Sequence, residues 1–168
     1  MKTAPPPYGF TAYMERLVQA NRLARREGFR SAVCSGVGHL EGLLEAWHDT
    51  ERFVCTSDVC EGAALQRGGG WFMRRVFTVF VLARFDWGDS ASQEAAMGLC
   101  RELYRQLLSR LLRDAEDAPP GLAYLNMADV RSTEIGGAFV NGCTGLYFML
   151  AMDEPTDISY NPAEWNSP

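Results

Sequence analysis

The chain has 168 residues, of which 47% are apolar and 22% are charged, a composition typical of one globular domain. Its net charge of -5 argues against a global basic field, so we expect no specific nucleic-acid partner. The sequence contains no stretch of about 20 apolar residues, so we expect no membrane span.

The first part of the chain predicts a lead-in followed by two helices. Residues 1–9 contain consecutive prolines and predict a flexible, extended lead-in. The apolar spacing over residues 11–27 predicts a helix, which Gly28 is suited to end. The leucines and Trp47 within residues 38–48 predict a second, shorter helix.

The middle of the chain predicts a hairpin around one central strand. Residues 53–60 predict a strand, and the glycine-rich run 67–70 predicts a long exposed connection. Residues 76–85 predict the central strand. Both of its faces are largely apolar, which indicates that water covers neither.

A long helix is predicted after the central strand. Residues 86–89 supply turn chemistry, and Ser90 with Gln93 predicts a capping box. The helix should then present one apolar stripe to the sheet, formed by Ala96, Leu99, Cys100, Leu103, Leu107 and Leu111.

The last part of the chain predicts two more strands, 125–135 and 146–152, separated by turns and preceded by a proline loop at 114–121. The second of these strands is apolar on both faces. The elements together predict an α+β fold, an antiparallel sheet of about four strands with helices packed mainly on one face. Residues 10–152 would form the single domain and residues 153–168 an extended C-terminal tail.

Metal and thiol sites are the first candidate chemistry. His39, His48, Cys55 and Cys60 are residue types that zinc binds, but their spacing does not form a tight ligand pair. The cysteines are odd in number and scattered over helix and strand positions, which favours buried thiols in a reducing compartment. We therefore expect no metal, no cofactor and no structural disulfide.

Carboxylates and one further thiol are the second candidate chemistry. Asp58 and Glu61 end one predicted strand, and Asp86 and Asp89 end another. Cys143 beside Gly142 could be exposed. Paired carboxylates can act as general acid and base where their environments separate their pKa values, and a thiol nucleophile needs a base within hydrogen-bond reach. A small hydrolase or ligand-binding domain is therefore an alternative, although turn and cap roles explain the carboxylates more simply.

The apolar surplus indicates an interaction surface. Two strands are apolar on both faces, yet few helices are predicted to cover them, and exposed apolar patches of that size usually mark an interface. We expect self-association or a partner surface, unless the tail and residues 32–47 cover the second face. The candidate interface residues are Arg74, Arg75, Phe77, Phe80, Leu82, Tyr160 and Trp165.

Three segments together carry a resemblance to a known family. They are the hairpin strand RRVFTVFVLARFDWGD, the helix SQEAAMGLCRELYRQLLSRLLRD and the terminal hairpin NGCTGLYFMLAMDEP. Over about residues 10–152, this order resembles the tail-completion and tail-terminator proteins of tailed bacteriophages and Mu-like prophages. The first helix is longer than the family pattern needs, and residues 29–50 are additional to it.

The resemblance implies a small α+β subunit without catalytic residues, which assembles, often as a ring, at the junction of tail and neck. Its partners would be further copies of itself and other phage tail or neck proteins, in the bacterial cytoplasm during assembly and then in the virion. We therefore expect a non-enzymatic phage structural protein. The hydrolase or ligand-binding domain and a host-encoded interaction module are the alternatives.

Overall fold

The structure, a computed structural model, describes residues 9–117, 122–136 and 142–166. The predicted lead-in, the prolines at 119 and 120, and the turn residues 137 and 141 lie wholly or largely outside these residues. The elements, in chain order, are α1 Phe10–Ala20, α2 Arg22–Arg26, β1 Phe29–Cys34, α3 Gly36–Ala46, β2 Arg52–Ser57, β3 Glu61–Arg67, β4 Gly70–Arg84, α4 Ser90–Glu116, β5 Leu125–Ile135, β6 Cys143–Pro155 and a 3₁₀ helix Pro162–Glu164.

Within the described residues, six strands form one sheet in the order β1-β2-β4-β6-β5, with β3 paired to β4 beside this path. Strands β1 and β2 are parallel, whereas every other pair is antiparallel. The α+β class and the mostly antiparallel sheet are confirmed. The prediction of about four strands is wrong, because β1 and β3 were not recognised.

The β3–β4 hairpin is closed by a tight turn rather than by the long connection predicted. Arg67 pairs with Gly70, so only Gly68 and Gly69 lie between the two strands. Both glycines have positive φ, 57° and 83°, which is the backbone geometry that matches the twist of a two-residue hairpin. Strand β4 therefore begins at Gly70, well before the predicted residue 76.

Helix α4 confirms the predicted apolar stripe. Cys100, Leu103, Leu107 and Leu111 are fully buried, and Ala96 and Leu99 pack against the same core. The predicted capping box is wrong, because the cap residue is Asp89. Its Oδ1 accepts hydrogen bonds from the backbone N–H groups of Ala91 (2.9 Å) and Ser92 (3.2 Å).

The helices pack on both faces of the sheet. Apolar side chains of α1, α2 and α4 share one core with Val79, Val81 and Phe148. On the other face, Leu40 and Leu44 of α3 pack with Phe53, Phe80 and Leu82. Residues 32–47 thus cover part of the second face, as the alternative interpretation of the apolar surplus allowed.

Arg84 fixes the end of α3 to the sheet. Its Nη2 donates to the carbonyl of Leu44 at 2.7 Å, and its Nε donates to the carbonyl of Thr50 at 2.9 Å. The bond to Leu44 satisfies a carbonyl group of the last helical turn, which a helix end leaves without a partner. Helix α3 is consequently held over the β1–β2 side of the sheet. Beyond α3, the same face of the sheet is only partly buried.

Candidate functional site

The second face of the sheet continues past α3 into a groove. Side chains alternate along a strand, so Thr78, Val76 and Arg74 share the face of Phe80. The register places Met149 beside Thr78 and Ala151 beside Val76, and these side chains are only half-buried. A groove of about 300 Å³ lies here. We call it the open groove, lined by Arg74, Val76, Asn126, Asp129, Arg131, Met149 and Ala151.

An irregularity in β5 shapes one wall of the open groove. Asn126 pairs with Ala151, but the next paired residue, Arg131, is already opposite Met149. The chain between these two pairs therefore leaves the ladder, as in a β-bulge. Within it, Asn126 Oδ1 accepts a hydrogen bond from the backbone N–H of Ala128 at 3.0 Å, which turns the strand locally.

Positive charge is in excess at the other wall of the open groove. Arg74 donates from Nε and Nη2 to the two carboxylate oxygens of Asp153, at 2.6 and 2.7 Å, and Arg67 adds a contact at 3.2 Å. These hydrogen bonds, chiefly those from Arg74, lower the pKa of the Asp153 carboxyl and raise the pKa of Arg74. Two guanidinium groups thus share one carboxylate. Arg75 is 3.3 Å from Glu154.

The C-terminal segment presents aromatic side chains to solvent. Tyr160 and Trp165 are 72% and 66% exposed, and their rings stack with centroids 6.3 Å apart. Asn161 lies between them and caps the 3₁₀ helix by accepting from the backbone N–H of Ala163 at 3.1 Å. We call residues 156–166 the tail. Strand β6 extends to Pro155, so the tail begins slightly later than predicted.

The structure separates the predicted interface residues into two groups. Phe77 is buried against the ring of Phe10, at a centroid distance of 4.6 Å, while Phe80 and Leu82 are buried in the core beneath α3. These three side chains leave little surface for a partner. The other group is accessible, because Arg74 borders the open groove and Tyr160 and Trp165 are exposed.

Of the residues that line the groove, the sequence reasoning selected only Arg74. It missed the polar residues Asn126, Asp129 and Arg131 and the apolar residues Val76, Met149 and Ala151. The available signal was the second apolar face of the two central strands. That pattern does not show which part of the face a helix covers. In the structure, helix α3 covers Phe80 and Leu82 but not Val76, which lies on the same face.

The residues of the hydrolase alternative lie at opposite ends of the sheet. Asp58 follows the end of β2 and Glu61 begins β3, whereas Cys143 pairs with Arg84 at the far end of β4 and Asp86 follows it. Strand β2 alone separates these ends by about 17 Å, at about 3.3 Å per residue. Cys143 is fully buried, contrary to the expectation that it could be exposed, and burial raises the pKa of its thiol.

Ser35, His39 and Asp58 form a small polar cluster where β1 enters α3. The Ser35 hydroxyl donates to Asp58 Oδ1 at 2.8 Å, and the Ser35 backbone N–H donates to His39 Nδ1 at 3.0 Å. Sequence reasoning missed Ser35 because β1 was not recognised. Since the histidine nitrogen is engaged by the backbone and not by the hydroxyl, the cluster closes the turn and lacks the nucleophile–base contact of a catalytic pair.

The cysteines match the interpretation as buried thiols. Cys34, Cys55, Cys100 and Cys143 are buried, Cys60 is partly buried, and all five are free. Burial raises the pKa of Cys34 to about 11 and those of Cys55 and Cys100 to about 12. Because the thiolate is the reactive form, these side chains are weak nucleophiles at neutral pH.

Comparison with known proteins assigns no family, since the chain matches no protein-family model and no curated protein. In the part of the chain that the structure describes, no helix combines the length and the apolar character needed to cross a membrane.

Proposed function

We propose that this chain is a non-enzymatic structural protein of a tailed bacteriophage or prophage, which acts in tail completion or in joining tail and neck. It would work through contacts with further copies of itself and with other tail or neck proteins, first in the bacterial cytoplasm and then in the virion. The order of hairpin, long helix and terminal hairpin supports the family. The observation that carries the assembly role is the exposed aromatic pair of the tail.

Two exposed features fit assembly better than the other functions considered. Tyr160 and Trp165 are large aromatic side chains, which dominate the energetics of many protein interfaces when they are buried. The open groove is a concave, partly apolar surface on the same domain. A chain whose work is assembly requires such surfaces. Of the residues in the hydrolase alternative, Asp58 and Glu61 lie at the opposite end of the sheet from Asp86 and Cys143.

Genetic deletion in the bacterium that carries the gene tests this proposal. After induction of the prophage, loss of the gene should give separate heads and tails, or tails of abnormal length, in electron micrographs. The full chain supplied in trans should restore joined particles, and it should be found in purified virions by mass spectrometry. Capsid and tail genes should lie beside it.

Two variants sharpen the deletion experiment. Tyr160→Ser combined with Trp165→Ser should fail to restore particles, because it removes the exposed anchors. Asp58→Asn should restore them fully, because the proposed role needs no carboxylate chemistry. Normal particles after deletion, or rescue that requires Asp58 but not the aromatic pair, would refute the structural role and favour the hydrolase alternative.

A further inference from the structure

We propose that the open groove binds the tail of a second copy of this chain, with Tyr160 and Trp165 as the anchoring side chains. This inference rests on the assembly role proposed above and names the partner of the groove. The contact would be heterologous, since the tail of one copy would meet the groove of the next. Heterologous contacts generate rings when the rotation between copies closes, and filaments when it does not.

The open groove has the shape and chemistry of an aromatic-binding site. Its floor is formed by Val76, Met149 and Ala151, and its volume of about 300 Å³ is comparable to that of a small ligand pocket. Methionine is flexible and polarizable, so Met149 can adapt to an aromatic ring and make favourable sulfur–ring contacts. The tail supplies the matching side chains, Tyr160 and Trp165, from outside the core.

Charge favours the tail as the occupant. Around the groove, Arg67 and Arg74 together face the single carboxylate of Asp153, and the exposed Arg131 is 3.3 Å from Asp129. The tail carries acidic residues at 157 and 164, and the sequence contains no Lys, Arg or His after Arg131. Three guanidinium groups and two carboxylates, those of Asp129 and Asp153, thus leave one surplus positive charge beside the apolar floor. An acidic segment with aromatic anchors is complementary to that surface.

The tail is arranged in advance for docking to another copy. The backbone N–H of Thr156 donates to the carbonyl of Trp71 at 2.9 Å, so the start of the tail is fixed beside the first residues of β4. Beyond it, Ile158, Tyr160 and Trp165 remain exposed rather than lying on their own sheet. The stacked rings and the Asn161 cap restrict the tail before binding, which reduces the entropy lost on association.

Mixing two complementary variants of the full chain tests the inference. The tail variant carries Tyr160→Ser and Trp165→Ser and keeps an intact groove. The groove variant carries Met149→Glu, which places an acid on the apolar floor, and keeps an intact tail. Sedimentation should show concentration-dependent assembly of the wild type, and association of each variant alone should be weaker by roughly tenfold or more.

The mixture gives the decisive result. One working tail and one working groove remain when the two variants are combined, so the mixture should form a heterodimer and grow no further. A fluorescent peptide of residues 154–168 should also bind the tail variant, and the same peptide with Trp165→Ser should bind much more weakly. Leu112→Ser, which removes an exposed apolar side chain on α4, is the matched control and should leave association unchanged.

Folding is checked by circular dichroism on every variant. If Met149→Glu does not fold, Arg131→Glu replaces it, because that side chain is 76% exposed. A mixture that stays monomeric while the peptide fails to bind overturns the inference. So does wild-type assembly that survives both variants, or a peptide that binds the groove variant as tightly as it binds the tail variant. The prophage deletion result stands independently of these outcomes.

Discussion

Asp153 is the residue at which three strands of the sheet are joined through side chains. It lies on β6, its guanidinium partners are Arg67 on β3 and Arg74 on β4, and only 13% of its side chain is exposed. A bidentate guanidinium–carboxylate pair in partial shelter from water is stronger than an ordinary surface ion pair. The hairpin, whose strand β3 has few buried side chains, is consequently held to β6 by this charged contact in addition to the backbone pairing of β4 with β6.

Asp153→Asn should destabilise the fold by about 1.5–3 kcal/mol at neutral pH, the range for hydrogen bonds to charged groups. Because the folded pKa of Asp153 is lowered, its contribution is present above the usual value of 3.8 and is lost as the pH falls further. Urea unfolding of the two proteins at neutral pH and at about pH 3 measures this, and the difference between them should shrink in acid.

The matched control for that experiment is Asp129→Asn. Asp129 also pairs with an arginine, but both side chains are well exposed, so the loss should be below about 1 kcal/mol. Equal losses from the two substitutions, or a loss at Asp153 that does not change with pH, would show that the carboxylate charge does not stabilise the hairpin.

Gly145 is a second residue whose identity the fold demands. It pairs with Leu82 in the centre of the sheet, its φ is 146°, and an added Cβ would collide with the carbonyl oxygen of Val81. Gly145→Ala should therefore cost more than about 2 kcal/mol. Gly62→Ala is the control, since its Cβ would make only an ordinary contact 3.5 Å from the Arg74 carbonyl oxygen. Thermal midpoints that fall equally for both variants would contradict this account.

At the scale of elements, the start of α4 depends on one side chain. Asp89 accepts hydrogen bonds from two backbone N–H groups, and its carboxylate also faces the positive end of the helix dipole. Asp89→Ala should destabilise the fold by about 0.5–2 kcal/mol, whereas Ser90→Ala should change little, because alanine suits the first turn of a helix. Urea unfolding checks both, and a larger loss at Ser90 would restore the capping box.

Elements that bury a side-chain pattern could be predicted from the sequence, and those that do not could not. The stripe of α4 was predicted correctly, since α4 lies on the sheet. The bounds of β5 were predicted correctly because a proline loop and consecutive glycines flank it in the sequence, although its burial does not alternate regularly. Strand β3 is almost wholly exposed and is built from small and polar residues, so its sequence carries no periodic signal. It is a strand because the turn at Gly68 and Gly69 brings its backbone against β4.

The same reasoning explains the partial prediction of the site. Tyr160 and Trp165 stood out because they interrupt a polar, proline-containing segment. Phe77, Phe80 and Leu82 were chosen because β4 is apolar on both faces, but that pattern also fits a strand covered by helices on both sides. The open groove depends on where α3 ends over the sheet and on the irregularity of β5, which are tertiary features.

At the scale of the whole molecule, β4 passes through two different environments. In its second half Val79 and Val81 are fully buried, and side chains of β4 there belong to the cores on both faces of the sheet. Its first half, including Phe72 and Met73, lies in the hairpin, where the partner strand β3 is exposed. Regions with few buried apolar contacts open at lower free energy than the core. The hairpin and the core should therefore unfold separately.

Hydrogen exchange measured on the full chain tests this separation. The backbone amides of Val79 and Val81 should open only with global unfolding, whereas those of Phe72 and Met73 should open at a free energy lower by about 2 kcal/mol or more. Asp153→Asn should widen the gap, because it removes the carboxylate that holds Arg67 and Arg74, while leaving Val79 and Val81 almost unchanged relative to the global value. If all four amides open together in both proteins, the hairpin belongs to the same cooperative unit as the core, and its charged contacts at Asp153 contribute to global rather than local stability.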